Sequence, residues 1–382
     1  MLLRLCKKSI LFSLGLALAT APAAPPSSPI LSRVPSDGIQ PQVLVDDKGA
    51  VHLLYFSGDA KAGDLYYARR PAGVSRFEPP LRVNSMPASA VAIGTIRGGQ
   101  LALGRAGRVH VAWNGANKAK DHPGASMFYS RLDPNGAAFE PQRDLMTFTG
   151  GLDGGGSVTA EQDGTVYVAW HGIARAGESE SSRGIFLARS RDDGQTFEPE
   201  RDINPEPTGA CACCGLKVLS NQRWLFVLYR EAREGTQRDE RLIGSQDKGE
   251  TFRPLFAHPW KGTTCPMSSA WLAPETHLTQ AAWENRGRIW LTRIDSESAR
   301  ASEPISPSGS SQKYPVTTAS ASGTLLVAWV EGAGWQKGGA LCWQLFDPKG
   351  KALGPPGRTN GVPAWSFAAA WTRADEGFEI IY

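Results

Sequence analysis

The sequence predicts an all-β fold: a single-domain β-propeller of four-stranded antiparallel blades. Three observations carry that expectation. First, a turn followed by an alternating strand with a terminal aromatic recurs six times. The aromatics are Tyr55, Trp113, Trp170, Tyr229, Trp283 and Trp329, at intervals of 58, 57, 59, 54 and 46 residues, the size of one blade. Second, an eight-residue turn, S-x-D-x-G-x-T-F, occurs at 190–197 and again at 245–252, 55 residues later. Third, 42 Gly, 27 Pro and 12 Trp in 382 residues, without long helical periodicity, suit many short strands joined by tight turns.

At the N-terminus, Arg4, Lys7 and Lys8 precede a short apolar run from Ile10 to Ala19, and Ala21-Pro22-Ala23 offers a small-x-small cleavage site. This pattern predicts a signal peptide over 1–23. The run is too short and wrongly flanked for a membrane span. The expected mature protein is exported, periplasmic or secreted, with one propeller domain over 24–382.

Each of the six repeats opens on a strand such as AVHLLYF after Gly49, RVHVAW after Gly107 or TVYVAW after Gly164. A variable loop and a second strand follow, beginning at Leu65, Met127, Ile185, Arg241, Ile289 and Leu341. Most repeats then pass a turn into a strand shaped like FEPPLRV. Alternation with period two predicts half-buried strands. Trp365 to Tyr382 supplies two further strands, and Pro29 to Val34 resembles the outer strand of the other repeats, able to close the ring. That count gives seven blades with a three-stranded closing blade; six is the alternative.

The repeated turn has a physical logic. Ser190, Asp192, Ser245 and Asp247 offer acceptors to the turn's own backbone. Gly194 and Gly249 permit positive φ, Thr196 and Thr251 re-enter a strand, and Phe197 and Phe252 are expected to tuck under the turn. Asp133-Pro134-Asn135-Gly136 and Asp347-Pro348-Lys349-Gly350 read as decayed copies.

Antiparallel neighbours reverse direction, so loops between the second and third strands and links between blades share one face, here called the top. Four cysteines fall there. Cys211, Cys213 and Cys214 end one link, and Cys265 lies in the next, which also carries His258 and Trp260; a loop beginning at His171 sits beside them. Three readings stand. Cys265 bridges to one of the other three, as an oxidising compartment favours, leaving a vicinal pair or two free thiols. Alternatively, the thiolates bind copper or zinc with His171 or His258 and Met267. The third is redox chemistry at adjacent cysteines. Apart from such a metal, no cofactor is expected. Cys342, in an apolar strand, reads as a buried free thiol. His52, His110 and His277 read as packed or edge residues and His122 as loop surface.

The S-x-D-x-G-x-T-F turns are the Asp-box of the sialidase-like (BNR-repeat) β-propellers, so the chain resembles a diverged member of that family. The resemblance implies an arginine triad gripping a carboxylate, a tyrosine nucleophile assisted by a glutamate, and an aspartate acid/base. The family's F/Y-R-I-P element falls on Gln40-Pro41-Gln42-Val43, which has no arginine; Ser32-Arg33-Val34-Pro35 echoes it too far upstream. The looser matches are Arg97, Lys217 and Lys313 as substrate-binding cations, Tyr314 with Glu231 or Glu284, Arg230 beside Glu231 at the channel mouth, and Asp153 in a Gly-rich loop. The alternative reading is that Tyr314 packs, the glutamates are solvated and the glycines only let the chain turn.

A formal charge of +4 with interspersed signs shows no nucleic-acid footprint. The functions expected are a glycan-directed protein of exo-sialidase type or a diverged relative, a non-catalytic propeller binding carbohydrate or protein through top-face residues such as Trp260 and Trp335, or a metal or redox site on the cysteine loop. A monomer is expected.

Overall fold

The computed structural model describes residues 28–95, 97–116, 125–174, 180–221, 223–263, 265–274, 279–294, 305 and 311–382. The signal peptide, His122 and His277 lie outside them. Strand β1 (Ile30–Ser32) precedes blade 1, which is built from β2 (Ile39–Val45), β3 (Val51–Asp59), β4 (Ala62–Arg70) and β5 (Leu81–Arg82). Blade 2 contains β6 (Gln100–Leu103), β7 (Val109–Ala116), β8 (Ala125–Arg131) and β9 (Arg143–Asp144). Blade 3 contains β10 (Ser157–Ala160), β11 (Val166–Gly172), β12 (Gly184–Ser190) and β13 (Arg201–Asp202). Blade 4 contains β14 (Lys217–Ser220), β15 (Leu225–Arg230), β16 (Glu240–Ser245) and β17 (Arg253–His258). Blade 5 shows β18 (Trp271–Pro274), β19 (Thr279–Asn285) and β20 (Arg288–Ile294). Blade 6 contains β21 (Gln312–Ala319), β22 (Leu325–Glu331), β23 (Gly339–Phe346) and β24 (Gly357–Val362), and blade 7 adds β25 (Ala369–Thr372) and β26 (Phe378–Ile381).

The molecule is therefore a seven-bladed, all-β propeller, and the six-blade alternative is excluded. Neighbouring strands within blades 1 to 6 are antiparallel, but the ring closes differently. β1 joins blade 7 as its third strand and pairs parallel to β26, Leu31 facing Ile380. An outer strand must deliver the chain to a top-face link, so it runs in the same direction as a second strand. Blade 7 has no third strand between the two, so they meet directly and in parallel. Tyr382 N donates to the Ser32 carbonyl at 3.1 Å, extending the pairing of β1 with the last strand.

The second strands are buried along most of their length rather than half-buried. Trp113, Trp170, Trp283 and Trp329 are no more than 2% exposed, because both faces of each sheet pack on neighbouring blades. The core is consequently a ring of inter-blade clusters, such as Tyr129, Val158, Val168 and Trp170 between blades 2 and 3.

The two S-x-D-x-G-x-T-F turns are built alike. Ser190 Oγ accepts from Gly194 N at 2.8 Å, and Asp192 accepts from Thr196 N at 2.8 Å and Thr196 Oγ1 at 2.6 Å. Ser245 accepts from Gly249 N at 2.8 Å, and Asp247 accepts from Thr251 N at 2.9 Å and Thr251 Oγ1 at 2.5 Å. Burial raises the Asp192 and Asp247 carboxyls, but the donated hydrogen bonds outweigh it and hold both at about 2. Phe197 packs edge-on to Tyr129 of the preceding blade at 4.8 Å, so the aromatic plugs an inter-blade seam.

Candidate functional site at the channel mouth

The first strands of all seven blades line an axial channel, with a cavity of about 460 Å³ in its lower part. Above it a constriction holds a cavity of about 30 Å³, lined among others by Gln42, Thr95, Gln100, Lys217, Trp271 and Tyr314. That volume admits a water or two, not a sugar ring. Among the described lining residues Lys217 alone carries charge, so the arginine triad that the resemblance implies does not line this cavity.

Lys217 enters the channel because it opens β14. Its Nζ donates to Gln100 Oε1 and, at 3.4 Å, to Gln42 Oε1, and lies 4.8 Å from the Trp271 ring centroid. Around this amine stand neutral acceptors and an indole face. Burial pushes its pKa down to about 7.

Tyr314 is 4% exposed, and burial raises its phenol. Its φ is +56°, with Pro315 next; Gln40 has φ +55°, with Pro41 next. Both residues sit at register shifts in first strands, so blades 1 and 6 enter the channel by the same bulge. The Gln40 side chain donates to the carbonyls of Ala92 and Trp365, tying three top-face segments together.

Arg230 and Glu231 do not line the mouth. Arg230 ends β15 and Glu231 follows it, and both are buried against different partners. Arg230 pairs with Glu240 at 3.1 Å and lies 4.0 Å from Glu284, with the Trp260 ring 5.0 Å away. Burial lifts Glu240 to about 8 and raises Glu284. Glu231 is held between Arg233 at 3.5 Å and Arg241 at 3.8 Å. Lys313 is half-buried and close enough to Glu284 to favour its ionised form. Glu240 was missed from sequence, although hairpin pairing of Arg230 with Glu240 is the signal that finds it.

The rim carries two exposed groups, Trp335 and Asp153, beside the partly buried Arg97 and Trp365. Arg97 forms an ion pair with Asp153 and donates to the Asp153 and Ile93 carbonyls. Trp335, 56% exposed, packs edge-on to Trp365 at 6.2 Å. Gly94 stands between the two groups: a Cβ there would lie 2.9 Å from Arg97 Nη1 and 3.4 Å from Trp335 Cζ3. Four loops of blades 1, 2, 6 and 7 thus bring two indoles, a guanidinium and a carboxylate to one side of the mouth. Trp365 is the second residue missed from sequence.

The cysteines form a separate cluster on the other side. Cys213 and Cys265 are disulfide-bonded. Cys211 Sγ lies 3.2 Å from Cys265 Sγ and 3.5 Å from Cys213 Sγ, and Cys214 Sγ lies 3.5 Å from Cys265 Sγ. Burial raises the Cys214 thiol, but Cys211 and the Arg230 charge bring it down to about 7. The histidines do not face the sulfurs in the expected way. His171 Nε2 donates to the Cys214 carbonyl at 3.2 Å, and His258 Nδ1 accepts from Trp283 Nε1 at 2.8 Å. Cys342 is buried and its thiol is raised to about 11, chiefly by burial.

No protein-family model matches the sequence, and no curated protein matches it. Solved structures similar to it include a leech intramolecular trans-sialidase complexed with 2,7-anhydro-Neu5Ac, at TM-score 0.51 and 8% identity over 90% of this chain and 86% of that one. A PL25 ulvan lyase matches at TM-score 0.51 and 10% identity over 91% and 87%. The NanB sialidase of Streptococcus pneumoniae matches at TM-score 0.50 and 9% identity over 88% and 81%. At these identities the likeness is one of fold: the chain is a seven-bladed propeller of sialidase-like architecture.

Proposed function

We propose that the protein is an exported, glycan-directed propeller that binds carbohydrate on its top face, beside the channel mouth. The observation that carries this reading is the exposed Trp335, stacked edge-on against Trp365 and flanking Gly94 opposite Arg97. Indole faces cover the apolar face of a sugar ring, and a guanidinium fork meets a carboxylate or sulfate group in bidentate fashion. Fold neighbours that include sialidases and a polysaccharide lyase bound to a glucuronate-containing glycan support a carbohydrate ligand. The basic and apolar N-terminal run, together with the Cys213–Cys265 bridge, supports export. Exo-sialidase hydrolysis has less support, because Tyr314 is buried and Lys217 is the one charged group among the described lining residues.

The test is titration of the mature chain, 24–382, with sialyllactose and with uronate-containing oligosaccharides, read by tryptophan fluorescence and calorimetry, alongside a hydrolysis assay on the same glycans. Binding that Trp335→Ala and Arg97→Ala each weaken by about tenfold or more is expected. Absence of binding to every glycan, or binding indifferent to both substitutions, overturns the assignment.

A further inference from the structure

The cysteine cluster holds more sulfur than a disulfide clamp requires. Two of its four sulfurs form the bridge, yet Cys211 and Cys214 also turn inward and are buried with Ala232. Three of the sulfurs, those of Cys211, Cys213 and Cys265, lie within 4.8 Å of one another. Cys214 joins them through Cys265.

The surroundings suit thiolates. Met267 N donates to Cys265 Sγ at 3.3 Å, a contact that a neutral disulfide sulfur does not need. The buried Arg230 guanidinium is near enough for its charge to interact with Cys214 and Cys211. The backbone is fixed on both sides: Cys211 N donates to the Arg230 carbonyl at 2.9 Å, and Gly215 N donates to the Ser268 carbonyl at 3.0 Å. The second bond ties the two cysteine-bearing links together. Hydrogen bonds and a fixed charge around sulfur are what orient and tune thiolate ligands.

We propose that Cys211, Cys213 and Cys265, once reduced, form a three-thiolate site for a soft monovalent d10 cation, Cu(I), with Cys214 as a neighbouring sulfur outside the set. Thiolates select such soft ions over hard ones. Three sulfurs bound about 2.3 Å from one ion stand roughly 4 Å apart, so Cys211 Sγ moves out by about 0.5–0.8 Å from its two neighbours, and the two bridge sulfurs separate to the same spacing once the bridge is cut. Opening the bridge takes two electrons and two protons. A dithiol reductant supplies them and leaves as its own disulfide, after which the cation displaces the thiol protons. Cys213 and Cys265 are half-buried, which gives both reagents an approach from the top face.

The experiment is anaerobic titration of the dithiol-reduced mature chain with Cu(I), in competition with a chromophoric Cu(I) chelator, and a parallel Zn(II) titration. The expected result is one Cu(I) per chain. Cys211→Ser, which leaves the Cys213–Cys265 bridge able to form and the oxidised fold intact, should lower affinity by about tenfold or more. Cys214→Ser should retain the ion. Failure to bind Cu(I) stoichiometrically, or a Cys211→Ser chain that binds like the parent, overturns the proposal. So does binding of Zn(II) alone with loss in Cys214→Ser, which would make this a four-sulfur site. Glycan binding by the rim is unaffected by any of these outcomes.

Discussion

Replacing Lys217 with Met should stabilise the protein near neutral pH, and the benefit should fade as pH rises. The folded chain holds this amine in the constriction with only amide oxygens and an indole for company, and burial brings its pKa from 10.5 to about 7. Between those two values the unfolded chain binds more protons than the folded one, so stability contributed through this group rises with pH. Below about pH 7 both states are protonated and the cost of burying the charge is complete; above about 10.5 it is gone. One pKa unit corresponds to about 1.4 kcal/mol, which sets an upper bound of about 5 kcal/mol. Lys217 keeps partial solvent exposure, which screens part of the charge, and the substitution also frees two glutamine oxygens. A net gain of about 2 kcal/mol is therefore expected at neutral pH. The assay is urea unfolding of parent and Lys217→Met at several pH values across that window. The difference between the two chains should shrink steadily as pH rises. Parallel curves, or a variant less stable at every pH, would refute the account of a buried amine whose charge is a burden.

Three further outcomes follow from other contacts. Glu200, 2% exposed, accepts from the backbone N–H groups of Thr147, Phe148 and Thr149 and from both threonine hydroxyls. Glu200→Gln, which keeps only one acceptor oxygen, should cost about 2–4 kcal/mol in thermal unfolding. Burial raises the Glu200 carboxyl, but these hydrogen bonds outweigh it and hold its pKa below 4.5. Its contribution is thus present above that value and lost as pH falls through the folded one, so the gap between parent and variant should close in acid. Asp247→Ala removes the acceptor for Thr251 at an exposed turn and should cost about 1 kcal/mol, with faster hydrogen exchange at the Thr251 amide. Gly154→Ala places a Cβ 2.4 Å from the Ala212 carbonyl oxygen and 2.5 Å from His171 Cε1, and should cost about 1–3 kcal/mol by forcing the Gly-rich link off the cysteine loop, read as a lowered Tm.

The architecture is legible in the chain alone, because the propeller is written in local, repeated signals. Each second strand carries its own alternation and terminal aromatic, and each S-x-D-x-G-x-T-F turn closes on its own atoms, as Ser190, Asp192 and Thr196 do. Repetition then makes the ring legible, including the N-terminal strand that closes it. Where side chains from different blades meet emerges only once the ring has closed. Arg230 and Glu231 are adjacent in sequence, yet one meets Glu240 and the other Arg241. The partnering of Cys265 with Cys213 rather than Cys211 or Cys214 depends on how two links pack against each other. The rim depends on four loops far apart in the chain, bringing Arg97, Asp153, Trp335 and Trp365 together. Fold is encoded within each repeat, whereas the site is assembled between repeats, where the distance in sequence carries no information about the distance in space.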